Sequence, residues 1–169
     1  ITDMTNGTGK FSAAGATAND LHFSGTATDN RLQSGDLNRK YIFENTLLSS
    51  LNGGKGIGLT AGDANSIVSF EITNTAGQTR QINLDGSSHQ TIGDVIAKIK
   101  SAGASLGVDA RVNSNGDGIE IFEIAPSGTG KLAIAEVGSG KTAALLHIKG
   151  EAAADKPGIV TGKQPIGSV

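Results

Sequence analysis

The chain has 169 residues, which is enough for one ordinary domain, or for one domain plus part of another. Its net charge of -2 gives no electrostatic basis for binding a nucleic-acid backbone or an anionic membrane surface. No run of the sequence reaches the roughly 18 apolar residues of a membrane span, so we expect no membrane insertion.

The core is expected to be aliphatic, because the chain has 5 Phe, 1 Tyr and no Trp, and its 25 glycines indicate many turns. It contains no cysteine, which excludes disulfides, thiolate chemistry and Cys-based zinc sites. The absence of cysteine is explained either by chance or by export of the chain in an unfolded state. The chain begins at Ile1 without an initiator Met or a signal peptide, and we expect it to be part of a longer protein.

The segment between the two similar parts of the chain contains a polar stretch and a short helical turn. Residues 26–45 are polar and irregular, and we interpret them as a linker or lateral arm. A helical turn is predicted over 46–51, ended by Asn52-Gly53-Gly54.

A β-hairpin is predicted over 67–84. Val68, Phe70 and Ile72 alternate with polar residues, and the same period returns at Ile82 and Leu84. The segment 74–79 between them is rich in turn residues.

The pattern then changes to that of a helix. Thr91 and Asp94 have the spacing of a capping box, and Gly103 is predicted to end the helix. The apolar residues at helical spacing are Ile92, Val95, Ile96 and Ile99.

Strands are predicted over 108–112, 119–124 and 132–137, and a short helix over 142–147. The turn at 114–118 suits residues that tolerate a positive φ. The order β-β-α-β-β-β plus a short helix predicts an α+β fold, in which one main helix packs on a face of an antiparallel sheet.

Two parts of the sequence repeat one another. Gly7-Thr8-Gly9-Lys10 returns 121 positions later at 128–131, and the segment 17–25 resembles 142–150 at a displacement of 125. A duplication explains both matches if four residues were inserted or lost between them. We therefore assign 1–50 to the tail of a preceding repeat and a linker, 51–150 to the main domain, and 151–169 to the start of the next linker.

Residues 69–123 resemble the flagellin hook IN motif of bacterial flagellar hook-associated and filament-cap proteins. The resemblance is carried by the hairpin, the Thr-Ile-x-Asp-Val-Ile helix start at 91–96, the Gly-Val-x-Ala strand at 107–110 and the Asn-Gly turn. The segments 47–57 and 142–150 are similar to those that flank the motif in multi-repeat members.

This resemblance implies an exported structural domain on an extracellular flagellar component. It implies contacts with other axial subunits, including self-association, and leaves a surface or host ligand open as a further partner. It brings no catalytic, cofactor-binding or metal-binding residue, and we expect no enzymatic activity. A cell-surface adhesin domain is the alternative.

A nucleotide-binding fragment is the less favoured alternative. Residues 135–142, AEVGSGKT, fit a relaxed phosphate-loop pattern between a predicted strand and a predicted helix. The strict first glycine is Ala135, and the repeat equivalent of Lys141 is Ala16. Both substitutions favour a structural loop.

Other polar motifs are also interpreted structurally. Asn113, Asn115 and Asp117 begin like a calcium loop, but Ile124 stands where the bidentate Glu belongs, so a hairpin turn is favoured. His22 and His147 are expected to pack, and the 52–58 glycines to form turns. The polar loop containing Asp85, Ser87, Ser88 and His89 lacks the geometry of a catalytic triad.

Overall fold

The computed structural model describes residues 10, 12–15, 18, 25–27, 31 and 41–162. The chain divides into two compact units, Ile1–Arg39 and Lys40–Val169. They are called unit 1 and unit 2 below.

Unit 1 contains a short antiparallel pair, β1 (Ser12–Ala13) and β2 (Gly25–Thr26). Ser12 pairs with Thr26 and Ala13 with Gly25. Ala18 and Ala27 are buried, with 7% and 2% of their surface exposed. Residues 7–9 and 21–23, which carry much of the predicted repeat, lie outside the described residues.

Unit 2 begins with residues that join its core. Ile42 and Leu48 are buried, so the segment 41–50 belongs to unit 2 although the sequence assigned it to a linker. The predicted helical turn appears as a 3-10 helix, Leu48–Ser50, followed by α1 (Leu51–Gly54). Asn52 and Gly53 adopt left-handed conformations that break α1 internally.

The predicted hairpin is confirmed as β3 (Ile67–Thr73) and β4 (Thr79–Asp85). The two strands pair along their whole length, from Ile67 opposite Asp85 to Thr73 opposite Thr79. One face of the hairpin is fully buried and consists of Phe70, Ile72, Ile82 and Leu84.

The predicted helix is confirmed as α2 (Ile92–Gly103), and its capping box is present. The Asp94 N–H donates to Thr91 Oγ1 over 3.2 Å, and the Thr91 N–H donates to Asp94 Oδ2 over 2.8 Å. After Gly103 the chain continues as a 3-10 helix, Ala104–Leu106, and the left-handed residue that ends it is Gly107.

The later elements are β5 (Val108–Val112), β6 (Ile119–Glu123), β7 (Ala133–Glu136), α3 (Thr142–Leu145), β8 (Gly150–Glu151) and β9 (Ile159–Thr161). The three strands and the short helix predicted here are confirmed, and β8 and β9 are additional. In unit 2 the strands form two antiparallel sheets, in the orders β4-β3-β7-β8 and β5-β6-β9.

The α+β class is confirmed, but the strands divide between two sheets where the sequence analysis placed one. The division arises because β6 pairs with β9, while β7 pairs with β3. Helix α2 contacts both β4 and β5, and a single hydrophobic core extends from Phe70 to Ile121 and Val160. Both sheets therefore share one core.

The segment predicted to start a linker at 151 contributes to this core as far as residue 162. Ala152 and Val160 are buried, and Val160 pairs with Ile121 of β6. The strand is only three residues long and gains its partner from a distant part of the chain, so no local pattern announces it.

Residues near both limits of the described range 41–162 contact the β5–β6 hairpin, whose turn is formed by residues 113–118. The Ile42 N–H donates to the Gly116 carbonyl oxygen over 2.8 Å, close to the start of the unit. At the other end the Gly162 N–H donates to the Ile119 carbonyl oxygen over 3.0 Å. Ile42 and Gly162 are therefore attached to the same β5–β6 hairpin.

The β7–β8 pair has the register of the β1–β2 pair. Ala133 lies opposite Glu151 and Ile134 opposite Gly150, which is the pairing of β1 with β2 after displacements of 121 and 125 positions. Gly25 and Gly150 have φ angles of 145° and 138°. The buried Ala18 and Ala27 correspond to the buried Ala143 and Ala152.

Candidate functional site

The loop between β7 and α3, which resembles a phosphate loop, already holds a carboxylate at its backbone amides. The Ala144 N–H donates to Glu136 Oε1 over 2.8 Å, and the Ala143 N–H donates to Glu136 Oε2 over 3.2 Å. Backbone amides at a helix start are donors of the kind that a phosphate would use. The protein's own carboxylate therefore stabilises this helix start, and a nucleotide would have to displace it.

The turn resembling a calcium loop satisfies its polar groups internally. The Asn113 side-chain amide donates to Asp117 Oδ1 over 2.8 Å, and the Asp117 N–H donates to Asn113 Oδ1 over 3.1 Å. The Asn113 N–H donates to the Gly118 carbonyl oxygen, which closes the hairpin. The hairpin-turn interpretation is confirmed. Within the described parts of the chain, no three acidic or histidine side chains form a metal-binding group.

The polar loop at 85–89 is organised around a carboxylate. Asp85 Oδ1 accepts from the Ser87 hydroxyl over 2.8 Å and from the Ser88 N–H over 2.7 Å. These hydrogen bonds, the Ser87 hydroxyl first, hold the pKa of Asp85 well below its usual range. His89 Nδ1 lies 3.0 Å from Asp85 Oδ2. The Ser87 hydroxyl donates to the Asp85 carboxylate. The hydrogen bonds of this loop are therefore those of a turn and not those of a catalytic triad.

His147 contacts the beginning of unit 2. Its Nε2 lies 3.3 Å from Asn52 Oδ1, and the Asn52 amide donates to the carbonyl oxygens of Gly56 and Leu145. Asn52 and His147 both have positive φ angles, of 54° and 57°. The expected packing role of His147 thus includes a polar contact that fixes α1 against α3. Its repeat equivalent, His22, lies outside the described residues.

The glycines of 52–58 form turns, as predicted, with positive φ angles at Gly53, Gly54, Gly56 and Gly58. No helix begins directly after them in the manner of a dinucleotide site.

A clasp that the sequence did not predict surrounds the tip of the β3–β4 hairpin and is formed by residues 128–131 and Glu123. The Gly130 N–H donates to the Thr75 carbonyl oxygen over 2.9 Å, and the Gly128 N–H donates to Thr75 Oγ1 over 3.1 Å. A Cβ atom at Gly128 would overlap the Thr75 carbonyl oxygen, and one at Gly130 would lie 2.8 Å from it. Only glycine allows this approach. The repeated Gly-x-Gly was the available signal.

Glu123 also contacts the hairpin tip and completes the clasp. It is 7% exposed, and its Oε1 accepts from the Thr75 N–H over 2.9 Å. Its Oε2 is buried and has no hydrogen-bond partner. The hydrogen bonding of this buried carboxylate is therefore expected to depend closely on the position of the hairpin tip.

A groove of about 810 Å³ lies between β8 and β9, the last strands of their respective sheets. It is lined by 147–151, which include Lys149, by 159–162, and by Asp117 and Lys156. Its walls thus combine two strand edges with side chains of both charges, a setting suited to a polar ligand.

The described residues contain no helix long and apolar enough to cross a membrane. Unit 2 is an α+β domain with two antiparallel sheets. Residues 69–123 match the family model described as the flagellin hook IN motif, which confirms the resemblance seen in the sequence and indicates a flagellin-like flagellar structural domain. Neither the curated proteins nor the solved structures gave a significant match.

Proposed function

We propose that this chain is part of an exported, extracellular component of the bacterial flagellum, of the hook-associated or filament-cap type. In this proposal unit 2 is a rigid module that contacts other axial subunits and has no enzymatic role. The observation that carries the proposal is the motif match at 69–123, a segment whose hairpin, helix and strands form one continuous hydrophobic core.

The outer strands of unit 2 support an assembly role. β8 has two residues and β9 has three, while the outward positions of β4 include Gln81 and Asn83, and Arg80 near its start is also exposed. Short or polar edges disfavour uncontrolled strand pairing between chains. We therefore expect subunits to associate through specific side-chain surfaces and not through the edges of their β-sheets.

One such surface is provided by the first segment of unit 2. The side chains of Phe43 and Leu47 are 65% and 52% exposed. The exposure of Phe43 stands out because the chain has few aromatic side chains. Exposed apolar groups of this kind mark contact sites for other proteins. We assign the contact with a neighbouring axial subunit to this segment.

The flagellar assignment is tested by locating the protein on the source bacterium. An antibody raised against the chain should label isolated flagella in immunoelectron microscopy, at the hook–filament junction or at the filament tip. Labelling restricted to the cell body would contradict the assignment.

The contact surface is tested separately. Phe43→Ser should reduce incorporation of the full-length protein into flagella. The matched control Ile124→Ser alters a side chain that is 71% exposed after β6, and should leave incorporation unchanged. Equal incorporation of both variants would exclude the segment 41–47 as the contact.

An adhesin domain is the second candidate, and the groove between β8 and β9 is the observation that favours it. Lys149, Lys156 and Asp117 could hold a polar surface ligand such as a carbohydrate. Saturable binding to a glycan array that is lost in Lys156→Glu would favour this function over a purely structural one.

A further inference from the structure

A small apolar pocket lies beside the first segment of unit 2. It has a volume of about 150 Å³, and the residues that line it include Leu47, Leu48, Ile57, Leu59, Ala61 and His89. Leu48 and Ile57 are buried, whereas Leu47 and Ala61 are exposed, so the pocket opens to the surface. Cavities of about 150 Å³ with apolar walls bind benzene. The apolar pocket is therefore large enough for one phenyl ring.

The chain presents a phenyl ring to solvent four positions before Leu47. Phe43 is 65% exposed, whereas Phe70 is completely buried in the core. Phe43 does not line the apolar pocket of its own chain. An exposed aromatic side chain and a pocket that fits it are the two halves of a typical hot spot between proteins. One copy of unit 2 thus carries both halves on neighbouring parts of its surface.

Opposite charges accompany the ring and the pocket. Glu44 directly follows Phe43, and Lys55 directly precedes Gly56, which lines the apolar pocket. Both charged side chains are exposed, and among the described residues neither has an ion-pair partner. A ring that enters the pocket of a second copy brings its Glu44 toward the Lys55 of that copy. Complementary charges of this kind select a partner and fix its orientation.

We propose that two copies of this chain bind one another by exchanging Phe43, whose ring enters the apolar pocket of the other copy. Glu44 of each copy then faces Lys55 of the other. Because the ring and the pocket lie on the same part of unit 2, the exchange is reciprocal, as in contacts with two-fold symmetry. The inference rests on the contact role proposed above for the segment 41–47, and it names a second copy of the chain as the partner.

The contact is expected to be weak between free chains. Stable interfaces bury about 1,200–2,000 Å² in total, whereas one aromatic side chain buries about 150–250 Å². Two rings and two ion pairs supply only part of the larger area, so we expect a dissociation constant on the order of 0.1 mM. Modules that are held close together reach effective concentrations of about 1 mM, which is sufficient for this contact within an assembly.

The test uses the purified full chain between about 10 μM and 1 mM, a range that includes the expected dissociation constant. Sedimentation equilibrium should show a monomer converting to a dimer. In ¹⁵N-labelled chain the amide signals of Leu48, Ile57 and Leu59 should shift with concentration, because the incoming ring changes their surroundings. A monomer throughout this range would overturn the proposal, as would a dimer that leaves these three signals unchanged.

Two variants at exposed positions remove the ring and fill the pocket. Phe43→Ala should weaken dimer formation about tenfold or more, and Ala61→Trp should do the same by occupying the pocket from its rim. The matched control Ile124→Ala shortens another exposed apolar side chain and should leave the dissociation constant within about twofold. Equal dimer formation by Phe43→Ala and Ile124→Ala would contradict the exchange of Phe43.

A mixture of the two variants separates exchange between copies from damage to the fold. The Phe43→Ala chain retains its pocket and the Ala61→Trp chain retains its ring, so a mixed dimer has one intact contact. The mixture should therefore associate more strongly than either variant alone. A mixture that is no better than its components would rule out the exchange.

The charge pair is tested by reversal. Glu44→Lys and Lys55→Glu should each weaken the dimer about threefold or more, and the chain with both substitutions should regain most of the loss. A double variant as weak as the single ones would exclude the pair of Glu44 and Lys55. All of these measurements are made on purified chain. A negative result would therefore leave the flagellar location open to its own test by immunolabelling, and the incorporation of Phe43→Ser would still report on other partners.

Discussion

At the scale of single residues, the glycines of the clasp have the most demanding environment in unit 2. Gly128 and Gly130 lie against the backbone of Thr75, which cannot move aside without breaking the end of the β3–β4 hairpin. A contact with backbone is less adjustable than one with the end of a flexible side chain. These two positions are therefore expected to tolerate no side chain.

Gly128→Ala is predicted to destabilise unit 2 by about 1–3 kcal/mol, because the new methyl group forces the hairpin tip away from the clasp. Urea unfolding followed by the fluorescence of Tyr41, the chain's single tyrosine, measures the change. Thr129→Ala lies between the two glycines at an exposed position and should change stability by less than about 0.5 kcal/mol. Similar losses in both variants would contradict the proposed close approach.

The carboxylate of Asp94 is the second residue with a distinct role. Burial opposes its ionisation most strongly, but hydrogen bonds from the Gln90 N–H and from the Thr91 hydroxyl and N–H together outweigh burial and lower its pKa. A carboxyl whose folded-state pKa lies below its unfolded value stabilises the fold above the unfolded value. That contribution is lost as the pH falls through the folded-state pKa.

Asp94→Asn is therefore predicted to be less stable than the wild type by about 1 kcal/mol at pH 7. The difference should shrink as the pH falls below about 4, where an unfolded Asp begins to take up protons. Urea midpoints at a series of pH values measure it. Asp85, whose pKa is also lowered, is present in both proteins and cancels in the comparison. A difference that does not vary with pH would show that the Asp94 charge is not involved.

At the scale of elements, β9 shows that the folded core continues beyond residue 151. Val160 faces the core and is 6% exposed, whereas Ile159 faces outward and is 37% exposed. The alternation is that of a strand with one buried face. Residues 151–162 therefore belong to the folded body of unit 2.

Val160→Asp is predicted to destabilise unit 2 by about 3 kcal/mol, because it places a carboxylate in the apolar core. Ile159→Asp, one position earlier on the same strand, should cost about 1 kcal/mol or less. Thermal unfolding of the two variants gives the comparison. If the segment were a linker, the two substitutions would have equally small effects.

The structure of the loop between β7 and α3 leads to a prediction about nucleotide binding. Because the Glu136 carboxylate occupies the amides of Ala143 and Ala144, Mg²⁺ and ATP should show no saturable binding in isothermal titration calorimetry. The wild type and Lys141→Ala should give the same flat titration. Binding that depends on Lys141 would establish the phosphate-loop interpretation instead.

The sequence could predict those helices and strands that are specified by residues close together in the chain. The hairpin follows from alternation around a turn, and α2 follows from its apolar spacing and the pair Thr91 and Asp94. β8 and β9 have two and three residues and exist because distant strands pair with them. The clasp was missed for the same reason, since the glycines were visible but their partner Thr75 was not.

At the scale of the whole of unit 2, the two sheets are expected to behave as one cooperative body. Their inner faces contribute to the same core, in which Phe70 of one sheet and Ile121 of the other are both fully buried. The division into two sheets could not be predicted, because strand patterns do not specify partners. What holds the sheets together is shared apolar burial.

Unit 2 is accordingly predicted to unfold in one transition. Amide signals of Phe70 in β3 and of Ile121 in β6 should disappear at the same urea concentration. Two-dimensional NMR spectra recorded across a urea series give both midpoints in one sample. Clearly different midpoints would mean that the β5-β6-β9 sheet is a separate folding unit.

The attachment of Ile42 and Gly162 to the β5–β6 hairpin has a mechanical consequence. When the chain is pulled at residues 42 and 162, the load passes through the turn that both ends contact, by way of Gly116 and Ile119. The hairpin of β3 and β4 takes no part in these two hydrogen bonds. Stretching a string of such units would therefore strain the turns first, while each main body kept its shape and its outward-facing surface.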